Sequence, residues 1–246
     1  MPAKRVRVDK LLVDRGLVGS RERARRLVMS GEVWLADQRL AKPSDLVAVD
    51  AAIEVRGADI PFVSRGGLKL QAALDHWRID VHGVVVADIG ASTGGFTDCV
   101  LQRGARHVYA VDVGYGQFAW KLRQDMRVTL FERANIRTFE AAQLPEAIDL
   151  VVIDVSFISL RLVLPTAIGL LHPGGGVVAL VKPQFEVGKG EVGKGGVVRD
   201  PAQHQAVVQA IAECGAHLGL HGHGVCESPI VGPKGNREFF LYFTLQ

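Results

Sequence analysis

The stretch VADIGASTGGF, residues 86–96, decides the fold. It runs from an apolar segment of strand length into a glycine-rich turn and then a helix-compatible run. That layout turns the free N–H groups of a helix N-terminus toward a ligand. Gly90, Gly94 and Gly95 read G-x-x-x-G-G, whereas a dinucleotide fingerprint reads G-x-G-x-x-G, so a pyrophosphate-bearing ligand is disfavoured. Asp88 lies just ahead of the turn, and Asp112 closes the next strand-length run 24 residues later. A carboxylate there can accept both hydroxyls of an adenosine ribose.

Asp88, Gly90, Ser92, Thr93, Gly94, Gly95, Phe96 and Asp112 therefore form a candidate cradle for a nucleoside cofactor. S-adenosylmethionine, which has a ribose and an amino acid group but no pyrophosphate, fits it better than NAD; a generic nucleoside-binding fold is the alternative. Asn135 can face the adenine or simply form a turn. Phe96 can pack the cofactor or the core.

Outward from this stretch, apolar runs at 84–88, 107–112, 128–131, 150–154 and 177–182 alternate with helical segments. Such alternation predicts an α/β fold, a doubly wound, mostly parallel Rossmann-like sheet. Residues 224–227 and 239–244 flank a Gly/Pro-rich turn with no helix between, which predicts a terminal antiparallel hairpin. Asp154 and Lys182 end two of the parallel strands, on the side where open α/β sheets bind ligands. Lys69 and Glu238 can join them, although each taken alone reads equally as a surface charge.

The first 60 residues have another character. Lys plus Arg outnumber Asp plus Glu 9 to 3 in residues 1–30, while from residue 61 onward the two balance at 17 each. A basic cluster on a neutral body is the footprint of phosphate-backbone binding. Asp9 can cap a helix carrying Leu11, Leu12 and Val13 before Gly16, and Ser20 a second carrying Ala24, Leu27 and Val28 before Gly31. Strand-like segments at 32–36 and 39–40 flank a turn at Asp37-Gln38, and 46–55 reads as further strand. Arg21 and Arg25, four residues apart, share the helix face turned to solvent. Residues 60–67, rich in Gly with Pro61, read as a linker after a small α+β domain over 1–59.

Other classes are excluded by what the sequence lacks. Cys99, Cys214 and Cys226 form no C-x-x-C pair, which argues against a disulfide framework or a thiolate metal site and fits the cytoplasm. No metal is required, and the histidines show no ligand spacing. The most apolar stretch, 151–171, carries Asp154, Arg161 and Pro165, wrong for a membrane span. GKGEVGKGG at 188–196 mimics a phosphate-binding loop, but position 195 is Gly where Ser or Thr must bind magnesium. It reads instead as a loop offering Lys189 and Lys194 to polymer phosphates. Trp34 and Trp120 read as core residues.

RVDKLLVDRGLVGSRERARRLVMSGEVWLADQRL resembles the S4-like RNA-binding module over about residues 5–55. SRGGLKL, DIGASTGGFT, DVGYGQ, DVSFISL, VKPQFEVGKG and GNREFF resemble the FtsJ-like RNA ribose methyltransferases over 64–246. Taken together, the chain resembles the TlyA-type ribosomal RNA methyltransferases, which also carry the hemolysin name. That resemblance implies an S-adenosylmethionine-dependent enzyme whose Lys69, Asp154, Lys182 and Glu238 surround the target 2′-hydroxyl of a cytidine in rRNA. Lys182 would activate the hydroxyl, Asp154 orient Lys182, and Lys69 with Glu238 hold the ribose. Burial and Lys69 favour a neutral Lys182, and the two carboxylates favour the ammonium. Arg5, Arg7, Lys10, Arg21, Arg25, Lys42, Arg65, Lys189 and Lys194 are the candidate RNA contacts, with rRNA or a ribosomal subunit as partner. The chain stops soon after its last strand, which leans toward large-subunit RNA alone. Residues 60–63 are IPFV where relatives often carry arginine and tryptophan, and coupling through them is left open.

Overall fold

The computed structural model describes residues 5–29, 31–55, 60–188, 190–193 and 195–246. The chain divides into two compact units, Met1–Asp59 and Ile60–Gln246.

The first unit contains β1 (Arg5–Arg7), α1 (Val8–Asp14), α2 (Arg21–Met29), β2 (Val33–Leu35), β3 (Gln38–Arg39), β4 (Leu46–Ala48) and β5 (Ile53–Val55). β1 pairs with β4, and β2 lies between β3 and β5, every pair antiparallel. The apolar stripes of α1 and α2 close over these strands, with Leu11, Leu12, Ala24, Val28, Val33 and Ile53 buried together. Ser20 caps α2 as expected, its hydroxyl accepting from the Arg23 N–H at 3.2 Å.

Asp9 does not cap α1. Arg7 takes that position without a side-chain bond, and Asp9 lies in the first turn, fully buried. Charge explains the shift: Asp9 accepts from Arg7 at 2.9 and 3.0 Å and from Arg21 at 3.1 Å. The hydrogen bond from Arg7 and that from Arg21 hold its pKa below the usual carboxylate range against the cost of burial. The β2–β3 turn falls at Ala36-Asp37, Ala36 taking a φ of 52°, one residue earlier than the sequence suggested. The run at 46–55 is two strands, parted by a bend.

The second unit is a seven-stranded sheet flanked by helices. Its elements are α3 (Gly66–Trp77), β6 (Val85–Ile89), α4 (Gly95–Gln102), β7 (His107–Asp112), α5 (Trp120–Arg123), β8 (Val128–Glu132), β9 (Ile148–Ile153), α6 (Leu160–Gly169), β10 (Leu171–Val181), α7 (Pro183–Glu186), α8 (Pro201–His217), β11 (Leu220–Glu227) and β12 (Phe239–Leu245). The strand order is β11-β12-β10-β9-β6-β7-β8. β8 through β10 run parallel, and β12 and β11 are antiparallel, so the terminal hairpin joins the same sheet with β12 against β10. β6 is buried throughout. Val86 packs into one apolar layer and Val85, Ala87 and Ile89 into the other, as a strand covered on both faces requires.

Two boundaries matter for the site. β9 and β10 end at Ile153 and Val181, leaving Asp154 and Lys182 just beyond their strands. β10 starts at Leu171, six residues ahead of the apolar run, with its register shifting between Leu171 and Gly176. Residues 60–67 are no free tether. Phe62 and Val63 are buried, Val63 N–H donates to the buried Asp98 at 2.7 Å, Pro61 C=O accepts from Gln102 at 2.9 Å, and α3 already begins at Gly66. Trp120 is no core residue: it starts α5 and is 61% exposed.

Candidate active site

In a doubly wound sheet the ligand crevice opens where the strand order reverses. Here that point lies between β6, which leads outward to β7 and β8, and β9, which leads the other way. Gly90 follows β6 with φ 84°, and a Cβ on it would lie 2.4 Å from the Asp154 carbonyl oxygen. The glycine turn and Asp154 are therefore in backbone contact, fixed by the Asp154 N–H to Ile89 C=O bond of 2.9 Å. Gly95 admits a second neighbour. A Cβ there would meet Ser64 Oγ at 2.2 Å and Gly67 N at 3.0 Å, so its absence lets α3, bearing Lys69, approach the turn. On the other side, Val181 pairs with Phe239 across β10 and β12, which brings Lys182 and Glu238 to one end of the sheet.

Four side chains from four elements thus converge. Lys69 Nζ lies 2.5 Å from Glu238 Oε2, and Lys182 Nζ lies 2.5 Å from Asp154 Oδ1. Lys182 also donates to Ser156 Oγ at 2.9 Å. Glu238 is 1% and Lys182 9% exposed, so two charges of each sign compensate one another away from water. All four line a cavity of about 660 Å³ together with Gly90, Ala91, Ser92, Thr93, Gly95 and Phe96. Three acceptors of its lining residues, Asp154 Oδ1, Gln184 Oε1 and Glu238 Oε1, are buried without a hydrogen-bond donor, Asp154 Oδ1 having only its ion pair. Unsatisfied buried acceptors call for a ligand that donates to them.

The structure places the remaining candidates unequally. Phe96 packs in the core, its ring 6.2 Å from that of Phe240, and also lines the cavity. Gly94, with φ 93°, caps α4 and packs under Phe118 and Leu122, outside the cavity wall. Asp112 also stands outside the wall. Its oxygens accept from the N–H groups of Ser92 at 2.7 Å and Gly114 at 2.6 Å, so it shapes the glycine turn. Asn135 caps a short 3₁₀ turn by accepting from the Arg137 N–H at 3.0 Å.

Asp88 is fully buried behind the turn. One oxygen accepts from the N–H and hydroxyl of Thr97 at 2.9 and 2.6 Å, and the other has no partner. Burial pushes its carboxyl up to about 7, against the Thr97 hydrogen bonds and helped by the nearby Asp154 charge. An unfolded Asp ionises near ~3.9. Between those values the folded protein holds a proton that the unfolded chain has released, so this contribution is fully present below pH ~4 and is lost as pH rises to 7. Asp88→Asn should flatten the fall of stability over that window by up to about 1.4 kcal/mol per pH unit. Thermal unfolding of both proteins between pH 4 and 8 checks it, and parallel curves would mean that Asp88 ionises normally.

Several cavity residues were not singled out from the sequence, although they lie in the runs DVSFISL and VKPQFEVGKG. Ser156 and Phe157 follow Asp154, and Gln184 and Phe185 follow Lys182, so the hint lay in their place just past strand ends. Phe157 is 91% exposed at φ 64°, with its ring 4.9 Å from that of Phe185. Glu186 ties the two segments together, accepting from Ser159 Oγ at 2.6 Å and Leu160 N–H at 2.8 Å. Lys234, exposed, and Arg65, also exposed, complete the rim. In the first unit Arg5, Arg7, Lys10, Arg21, Arg25 and Lys42 are all exposed. Lys189 and Lys194 lie outside the described residues.

Comparison with known proteins gives the family. The family model described as FtsJ-like methyltransferase matches residues 62–245, and that of the S4 domain matches 6–53. The chain is 48% identical to the 16S/23S rRNA (cytidine-2′-O)-methyltransferase TlyA of Mycobacterium tuberculosis, over 99% of this chain and 91% of that one. It is 36% identical to the 23S rRNA (cytidine-2′-O)-methyltransferase TlyA of Campylobacter jejuni, over 74% and 70%. A solved structure named as a hemolysin from Streptococcus thermophilus superposes with a TM-score of 0.78 at 43% identity, covering 98% of this chain and 89% of that one. Among the described residues no helix is long and apolar enough to cross a membrane, so the hemolysin name has no helical span behind it here. The chain belongs to the FtsJ-like methyltransferases, with an S4 domain in its first unit and the TlyA enzymes among its relatives.

Proposed function

We propose that this protein transfers a methyl group from S-adenosylmethionine to the 2′-hydroxyl of a cytidine in ribosomal RNA. The observation that carries the reading is the convergence of Lys69, Asp154, Lys182 and Glu238 on one cavity facing a glycine turn. The turn fits the cofactor: it leads into the N-terminus of α4, where backbone N–H groups face a ligand, and Ser92, Thr93 and Gly95 line the cavity there. When bound, S-adenosylmethionine supplies a methyl group already activated by its sulfonium.

What remains for the protein is positioning and one proton. Alignment of the ribose oxygen behind the methyl can supply roughly 7–11 kcal/mol. Lys182 faces the hydroxyl and takes its proton or stabilises the charge left on oxygen, a contribution of about 10²–10⁴-fold. Asp154 holds the Lys182 head. Glu238 Oε1, lacking a donor, accepts from a ribose hydroxyl, while Lys69 neutralises that carboxylate.

Phe157 and Phe185 offer an aromatic surface at the rim, and RNA bases displaced from a helix stack on such rings. Phe157→Ala should weaken RNA binding by about 1–3 kcal/mol, the usual worth of one stacked base, and leave cofactor affinity alone. Filter binding of target RNA checks this, and unchanged affinity would assign Phe157 no base contact. The exposed cations of the first unit and Arg65 supply phosphate contacts. Both relatives named above act on 23S rRNA, so we assign large-subunit RNA as the substrate and the cytoplasm as the place of action. Transfer of labelled methyl to unmodified large-subunit RNA or subunits tests the proposal, and no incorporation into either would refute it.

A further inference from the structure

We infer that Ser156 is a positioning residue that aims the Lys182 amine at the substrate hydroxyl; the inference rests on the catalytic reading of Lys182 given above. A lysine head has three N–H directions when charged, and two N–H groups plus a lone pair when neutral. Ser156 Oγ at 2.9 Å accepts one of these N–H groups, while Asp154 Oδ1 pairs with the head by charge at 2.5 Å without the alignment of a hydrogen bond. Among the described residues no third partner is found for it. Ser156 therefore supplies the directional contact that sets which corner of the head faces the cavity. In the neutral amine that corner is the lone pair, and in the ammonium it is the last N–H. One arrangement therefore serves both protonation states. With Asp154 alone the head could rotate about that contact, and the free corner would have no defined direction.

The proton path follows from this geometry. The 2′-oxygen forms its bond to the methyl carbon as the carbon–sulfur bond breaks with its electron pair on sulfur, and the hydroxyl proton passes to the Lys182 lone pair. Ser156 is unchanged by the step, because it only accepts from an N–H that Lys182 keeps throughout. Glu186 supports the same alignment through Ser159 and Leu160, binding the segment after Asp154 to the segment after Lys182.

The test is a double-mutant cycle on the full chain with calorimetric cofactor affinity as a second readout. Ser156→Ala should lower kcat by roughly tenfold or more, the scale of losing alignment rather than the group itself, with KM for RNA and affinity for S-adenosylmethionine unchanged. Ser156→Thr, which keeps the hydroxyl, should restore most of kcat. Adding Ser156→Ala to Lys182→Ala should cost nothing further, because the serine acts through the lysine. Normal kcat in Ser156→Ala beside a crippled Lys182→Ala would overturn the role of Ser156 alone. Losses that multiply in the double variant, or a matching fall in cofactor affinity, would also overturn it, since either marks a merely structural serine. Normal turnover in Lys182→Ala would instead refute the catalytic reading beneath it.

Discussion

Lys182→Ala should retain S-adenosylmethionine binding and RNA binding while methyl transfer falls by roughly 10²-fold or more. The separation follows from where Lys182 sits. It is 9% exposed, contacts Asp154 and Ser156, and follows β10 rather than the glycine turn after β6. Its removal leaves the backbone of the cofactor cradle intact. It also leaves Asp154, a carboxylate with its side chain 22% exposed, without its cation, so some loss of stability should accompany the loss of rate. Lys182→Met, which keeps the volume but not the charge, should be as inactive as the alanine variant. Single-turnover methylation read beside calorimetric cofactor titration checks the split. Near-normal single-turnover rates would remove Lys182 from the chemistry.

Gly90→Ala should abolish cofactor binding and cost on the order of 3 kcal/mol of stability. Two effects add. Alanine at φ 84° costs about 1–2 kcal/mol by itself. Its Cβ would also sit 2.4 Å from the Asp154 carbonyl oxygen and 3.2 Å from Val155 Cγ1, and the carbonyl cannot swing away while the Asp154 N–H is held by Ile89. The turn and Asp154 must therefore move apart, separating the cofactor from the proton cluster. Gly83→Ala is the control, because Gly83 shares a left-handed φ of 75° but has nothing within 4 Å of an added Cβ. It should lose only the conformational term and bind cofactor normally. If calorimetry and thermal unfolding find the two variants alike, close approach at Gly90 has no role.

The strand-and-helix alternation from residue 84 onward was legible because buried parallel strands read as unbroken apolar runs and their helices as polar interruptions. The 107–112 strand was placed to the residue. The 177–182 strand was read short because its leading half, Leu171–Gly176, contains His172, Pro173 and three glycines, which resemble a turn. Asp9 illustrates a different limit. Its position ahead of an apolar triplet is a fair capping signal, but the ion pairs to Arg7 and Arg21 that bury it depend on a neighbour 12 residues away. Trp120 failed for a similar reason, since aromatic content says nothing about which side of a four-residue helix faces solvent.

For the site, residue chemistry and position at strand ends were enough to nominate Asp154 and Lys182, and likeness to a family added Lys69 and Glu238. Sequence by itself thereby determined the fold class, which depends on local periodicity, and nominated the glycine turn and the four-residue cluster from residue type and family likeness. The tertiary structure alone decided that Lys182 is shared between Asp154 and Ser156, that Phe157 stands exposed at the rim, and that Asp88 and Asp112 brace the turn from outside the cavity. Those facts depend on which strands lie side by side and on which way a side chain points once its neighbours are packed. Contacts between residues 26 to 169 positions apart leave no periodic trace in the chain.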